Sequence, residues 1–164
     1  MAVKSRILGI DPGSRTTGYG IIDKNGSQIG FVTCGTIRTT AHRNLNDRLL
    51  EIFEGLMHVM DQHHPDVAAV EDMFVANNPR SALKLGHARG VAVLAALKSG
   101  MRVHDYPPRK VKQAVAGYGH AEKEQVQHMV RALLELSSAP SSDASDALAV
   151  AICHANQMAI VAAG

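Results

Sequence analysis

Residues 5–38, SRILGIDPGSRTTGYGIIDKNGSQIGFVTCGTIR, divide into three apolar runs separated by turn residues. The first is Ser5 to Asp11. Thr17 to Asp23 follows Pro12-Gly13-Ser14, and Ile29 to Arg38 follows Asn25-Gly26, a two-residue hairpin signal. Connections this short join neighbouring strands that run in opposite directions, so the segment predicts an antiparallel meander. Downstream the period changes. From Asn44 to Gln62, Leu45, Leu49, Ile52, Phe53, Leu56, Val59 and Met60 recur at spacings of three and four, an amphipathic helix ending near Pro65. Val67 to Glu71 reads as a short, fully apolar strand, Pro79 to Ser99 as a long helix stopped by Gly100, and Val103 to Tyr106 as a fifth strand. A short helix opens at Pro107-Pro108 and reaches Val115. Residues 121–136 and 143–158 predict two more helices around a Ser- and Pro-rich loop. The fold class is therefore α/β, a five-stranded mixed sheet (antiparallel meander plus parallel strands) with helices on both faces.

At 164 residues, without internal repeat or linker, the chain reads as a single domain over 1–164 with one ordinary core. No run of 18 apolar residues predicts a membrane span, and the first strand begins too early for a secretory signal. Cys34 and Cys153 lack metal-type spacing and fit buried thiols in a reducing cytoplasm. The nine histidines are scattered, with His63-His64 closing a helix, so they predict no zinc site. A net charge of +2 is too small to indicate nucleic acid by itself.

Four acids mark the ends or starts of apolar runs: Asp11, Glu71, and the pair Asp143 and Asp146. If the strand over residues 7–10 and that over 67–70 are parallel neighbours, Asp11 and Glu71 share one carboxyl edge of the sheet, where ligand sites form. Asp143 and Asp146 stand three apart at a helix start, on one face of its first turn. Acids are also favoured there as caps, so the pair alone fits either role. Two carboxylates 4 Å apart repel by ~4 kcal/mol at an effective dielectric of 20, and a divalent cation removes that cost. An all-oxygen set favours Mg²⁺ or Mn²⁺ over zinc, and two such ions would suit in-line hydrolysis of a phosphate ester.

Basic residues gather as Arg80 and Lys84 on the long helix, and as Arg109, Lys110, Lys112 and Lys123 around residues 117–120. Each could be a solvated helix face, but beside acids they could hold a polyanion. Phe74, just past Glu71, is either a core anchor or a platform for a nucleic-acid base. The small-residue stretch 86–97 of the long helix suits close contact with the sheet alone or with a second surface as well. GIDPGSRTTGYG, residues 9–20, could cradle phosphate or serve as a tight turn. A similar spacing opens the phosphate loop of actin- and hexokinase-type ATPases, but those need two related domains, which this length does not supply.

The segments GIDPGSRTTGYG, VEDMF, NNPRSALKLGHARGVA, PPRKVKQAVAGYGHAEKEQVQHMVRALL and DASDALAVAICH together closely resemble the RuvC family of Holliday-junction endonucleases, in order and spacing. The acids alone would fit many ribonuclease H-like nucleases; the longer segments single out the resolvase. The resemblance implies a ribonuclease H-like fold and Mg²⁺ bound by Asp11, Glu71, Asp143 and Asp146. It places Lys112 and Lys123 beside the cleaved strand and stacks Phe74 on a base near the crossover. It further implies symmetric nicking of four-way DNA junctions in recombination and repair, leaving a 5′-phosphate and a 3′-hydroxyl. A homodimer built largely on the long helix, work alongside RuvA and RuvB, and a bacterial cytoplasmic setting complete the expectation. A non-catalytic junction-binding module would share the fold and lack some of the acids.

Overall fold

The computed structural model describes residues 4–72 and 78–163. Its strands are β1 (Lys4–Asp11), β2 (Thr16–Asn25), β3 (Gln28–Arg38), β4 (Val67–Glu71) and β5 (Arg102–Tyr106), in the sheet order β3-β2-β1-β4-β5. The first three form the expected antiparallel meander, while β1–β4 and β4–β5 are parallel. Ile10 pairs with Val70, so the next residue of each strand, Asp11 and Glu71, leaves the sheet at the same edge.

Among the described residues five helices cover the sheet: α1 (Leu45–His63), α2 (Pro79–Lys98), α3 (Pro108–Ala116), α4 (Lys123–Leu133) and α5 (Ser142–Ala163). Strand alternation sorts the side chains between two cores. Leu8, Ile10, Ala68 and Val70 join Ile52 and Leu56 of α1 and Ala88, Ala92, Ala95 and Ala96 of α2. Ile7 and Ala69 join Val111 and Val115 of α3, Val126 and Val130 of α4, and the 148–153 stretch of α5 on the opposite face. By the same alternation Asp11 and Glu71 fall on the α5 side. Burying about 20 large side chains at ~1.5–3 kcal/mol each is the main force holding the helices down.

Two helix ends differ most from the sequence reading. The fourth helix is shorter than 121–136, because Glu135 takes a left-handed φ of 54°. Arg131 then caps the chain leaving it, with Nε donating to the Leu136 carbonyl at 3.2 Å and Nη2 to that of Ser137 at 3.0 Å. The last helix runs past Met158, since its alanine-rich sequence carries no breaker. Over Ser142–Val161 it is also long and apolar enough to cross a membrane by length and composition. Residues 147–153 are nevertheless buried against the sheet, as in the core helix of a globular domain.

Candidate active site

The four acids converge where β1, β4 and α5 meet. Ligand oxygens of Asp11, Asp143 and Asp146 all lie within 4.8 Å of one another. Glu71 borders the same space and, together with Lys112, Lys123 and Asp146, lines a cavity of about 230 Å³. A second cavity of about 190 Å³ on the α2 side is lined by both Asp11 and Glu71, and also by Asp72 and Arg89.

Close approach of α5 to the sheet creates this convergence. A Cβ on Gly9 would lie 2.0 Å from the Ala147 carbonyl oxygen, and one on Gly18 would lie 2.0 Å from that of Asp143. Gly18 is also the β2 partner of Asp11. Hydrogen at these two positions therefore sets the first turn of α5 directly over the end of β1. The capping role open for the Asp143 and Asp146 pair falls instead to Ser141, whose Oγ accepts from the Ala144 N–H at 3.3 Å. Both carboxylates are thereby left to the site.

The electrostatics are those of crowded acids. Burial pushes the Asp11 carboxyl up to about 8, reinforced by Glu71, Asp146 and Asp143 and opposed by Lys123. Burial likewise raises Glu71 to about 7, with Asp146 adding to the shift and Lys112 and Lys123 opposing it. Asp146 is raised by burial as well, with Lys123 pulling it back down. Lys123 Nζ stands 3.5 Å from Asp146 Oδ2. It is the first residue of α4, where the helix dipole disfavours a cation, so helix stability does not account for a lysine there. The donor set fits a hard divalent ion: all its atoms are oxygens, and 4.8 Å is about the span of two oxygens across one cation at 2.0–2.6 Å each.

The other expected basic residues separate. Lys84 lines a third cavity, of about 450 Å³, with Asp143, Arg15 and Arg48. Arg80 is exposed in the first turn of α2. Arg109 packs its stem against Gly119. Lys110 turns elsewhere, its Nζ 5.8 Å from the Tyr106 ring centroid, and borders a different cavity with Cys153 and Asn156. Phe74 lies outside the described residues.

Three groups at the site escape a sequence reading. Arg89 pairs with Asp72 and Asp105, linking α2 to the ends of β4 and β5; the only signal was a lone arginine within a small-residue stretch. Asp72 thus pairs toward α2 while sharing the second cavity with Asp11 and Glu71. Arg15 and Arg48 gather at the turn after Asp11, and their distance in sequence from Lys84 hides the grouping.

A family model described as crossover junction endodeoxyribonuclease RuvC matches residues 7–154. A protein of that description from Geobacter sulfurreducens is 56% identical over 151 residues, covering 92% of each chain. One from Legionella pneumophila is 52% identical over 150 residues, covering 92% of this chain and 86% of the relative. Among solved structures, Thermus thermophilus RuvC in complex with a Holliday junction substrate superposes with a TM-score of 0.90 at 34% identity, over 96% of each chain. The yeast mitochondrial Holliday junction resolvase matches at a TM-score of 0.69 and 12% identity, a likeness of fold alone. The mixed five-stranded sheet with its two helical layers is accordingly ribonuclease H-like, and the chain belongs to the RuvC family of crossover junction endodeoxyribonucleases.

Proposed function

We propose that this chain resolves four-way DNA junctions by hydrolysing one phosphodiester in each of two symmetry-related strands, leaving 5′-phosphate and 3′-hydroxyl ends. The observation that carries the reading is the gathering of Asp11, Asp143 and Asp146 within 4.8 Å, with Glu71 and two lysines in the adjoining cavity. Asp11, Glu71, Asp143 and Asp146 would hold two Mg²⁺ ions, with Mn²⁺ able to substitute. When bound, the metal supplies Lewis acidity at the scissile phosphate and lowers the pKa of water. The protein's own part is positional and electrostatic. The acids take their places from β1, β4 and α5, all seated on one core. Lys112 and Lys123 line that cavity and would offset the charge that grows on the phosphate oxygens as water adds to phosphorus and the bond to O3′ breaks. The proton lost by the water is balanced by the one gained at the 3′-oxygen.

Cutting two strands symmetrically calls for two identical sites, hence a homodimer. Along α2, Leu83, Leu94 and Leu97 are 66%, 58% and 55% exposed. With Gly90, whose Cβ position meets nothing within 4 Å, they follow a spacing of three, four and seven along one side of the helix, which suits contact with a second copy. As a member of this family the chain would work alongside RuvA and RuvB in the bacterial cytoplasm. Phe74 would stack on a base near the crossover, and Arg80, Lys84, Arg109 and Lys110 would contact DNA phosphates.

The test is incubation with a synthetic four-way junction, a duplex and a fork, each with Mg²⁺ or EDTA. Paired symmetric nicks on the junction, only with Mg²⁺, are expected. Equal cutting of plain duplex, or cutting in EDTA, would overturn the reading.

A further inference from the structure

We infer that the cavity between the turn after β1 and the start of α2 is a second phosphate site, which grips a linkage of the cut strand on the Asp143 side of the acids. This rests on the nuclease reading above. The cavity, of about 450 Å³, is lined by Gly13, Ser14, Arg15, Thr16, Arg48, Ser81, Lys84, Leu85 and Asp143. Three cations and three hydroxyl groups face one carboxylate there, a composition suited to an anion whose oxygens accept several hydrogen bonds.

The turn that forms one wall is held from within. Thr17 is buried, and its Oγ1 donates to the Gly13 carbonyl at 2.9 Å and accepts from the Gly13 N–H at 3.3 Å. Thr39 Oγ1 and Arg48 Nη2 both donate to the Ser14 carbonyl, at 2.9 Å and 2.8 Å. The Arg15 carbonyl accepts from the Thr39 N–H at 3.0 Å, and Arg48 Nε donates to Thr39 Oγ1 at 3.1 Å. The carbonyls of residues 13–15 all accept hydrogen bonds from Thr17, Thr39 or Arg48, which fixes the turn and lessens their repulsion of an anion. Arg48 acts as the brace; Arg15 and Lys84, both exposed, are the groups free to close on a phosphate.

Asp143 borders this cavity, whereas Asp146, one turn along α5, borders the one with Lys112 and Lys123. The acids therefore stand between two basic cavities. A strand running from one to the other crosses them, with its scissile phosphate at the acids and a neighbouring phosphate between Arg15 and Lys84.

The proposal is tested by junction binding in an Asp11→Asn background, which removes cutting, with and without Arg15→Ala and Lys84→Ala together. Losing one phosphate contact makes the slope of log K against log[salt] shallower by about 0.7 to 0.9. Affinity should fall roughly tenfold at moderate salt. A junction carrying one uncharged methylphosphonate linkage next to the cut should weaken the parent as much as the double substitution does, and combining the two should cost nothing more. An unchanged slope, or a methylphosphonate penalty that adds in full at every linkage near the cut, would overturn the site. If the parent binds junction no better than duplex, the junction reading fails instead, and the slope change on duplex still decides the phosphate site.

Discussion

Replacing Asp11 by Asn should make the metal-free protein more stable while removing its activity. Burial and three neighbouring acids raise the Asp11 carboxyl from 3.8 to about 8, so it holds a proton in the folded chain that it releases on unfolding. The folded state then binds more protons than the unfolded one between those two values, and its stability falls as pH rises through that window. At pH 7 the difference spans about three pH units at 1.36 kcal/mol each, or about 4 kcal/mol. Asparagine cannot ionise, so the variant escapes this loss. For a chain of this size, 4 kcal/mol corresponds to a melting-temperature gain on the order of 10 °C. The assay is thermal unfolding in EDTA at pH 4, 5.5, 7 and 8.5. The gap between variant and parent should be near zero at pH 4 and widen up to about pH 8. Adding Mg²⁺ should stabilise the parent far more than the variant, because a cation relieves the same repulsion and displaces the same proton. A variant no more stable than the parent at pH 8.5 without metal, or a gap that does not change with pH, would show that the Asp11 carboxyl is not held protonated in the folded chain.

Four further outcomes are expected. Lys123→Ala should lower the single-turnover cleavage rate ~10²-fold while changing junction affinity little, as for loss of one transition-state contact; filter binding and quenched-flow assays separate the two. Gly18→Ala would place a methyl group 2.0 Å from the Asp143 carbonyl oxygen, so α5 must lift; a loss of about 3 kcal/mol in urea unfolding and weaker Mg²⁺ binding by calorimetry should follow together. Tyr106→Phe removes the hydroxyl 2.6 Å from Nδ1 of buried His154 and should cost ~1–3 kcal/mol by the same unfolding assay. Burial, aided by His104, depresses His154 to about 4 from 6.5, so parent stability should also fall as pH drops through that interval.

The sheet edge was legible because its signals are local. Turn residues at 12–14 and 25–26 marked the meander, and the ends of two apolar runs put Asp11 and Glu71 at one carboxyl edge on the condition that their strands were parallel neighbours. The parallel pairing of β1 with β4, a condition in the sequence reading, is met in the packed sheet. The depth at which α5 sits was not legible, because it depends on what Gly9 and Gly18 lack. A glycine in a strand reads equally as a turn signal, a bulge or a weak strand former, and only the opposing backbone of Ala147 and Asp143 shows that hydrogen is required. The same holds for the cations. Lys110 and Lys112 are two residues apart on α3, and helical geometry turns them by roughly 200° from one another. Lys112 faces the acids, whereas Lys110 lies over Tyr106. Arg15, Arg48 and Lys84 come from a turn and two helices on the other side of the sheet edge, so only the packed fold brings them together.

Charge placement also separates two roles that composition merges. Four acids gathered at the ends of β1 and β4 and the start of α5 are unfavourable for the bare chain, and Lys123 offsets only part of that cost. The Asp11 and Glu71 carboxyls, pushed up to about 8 and 7, measure how unfavourable the acids are. A fold optimised for stability alone would replace Asp11 with an uncharged residue. That the chain keeps it means the site is set for a state the bare protein does not have, in which cations among the acids and a phosphate beside the lysines neutralise each other. Stability and catalysis should therefore move in opposite directions at Asp11 and together at Gly18, where one substitution disturbs the packing and the site alike.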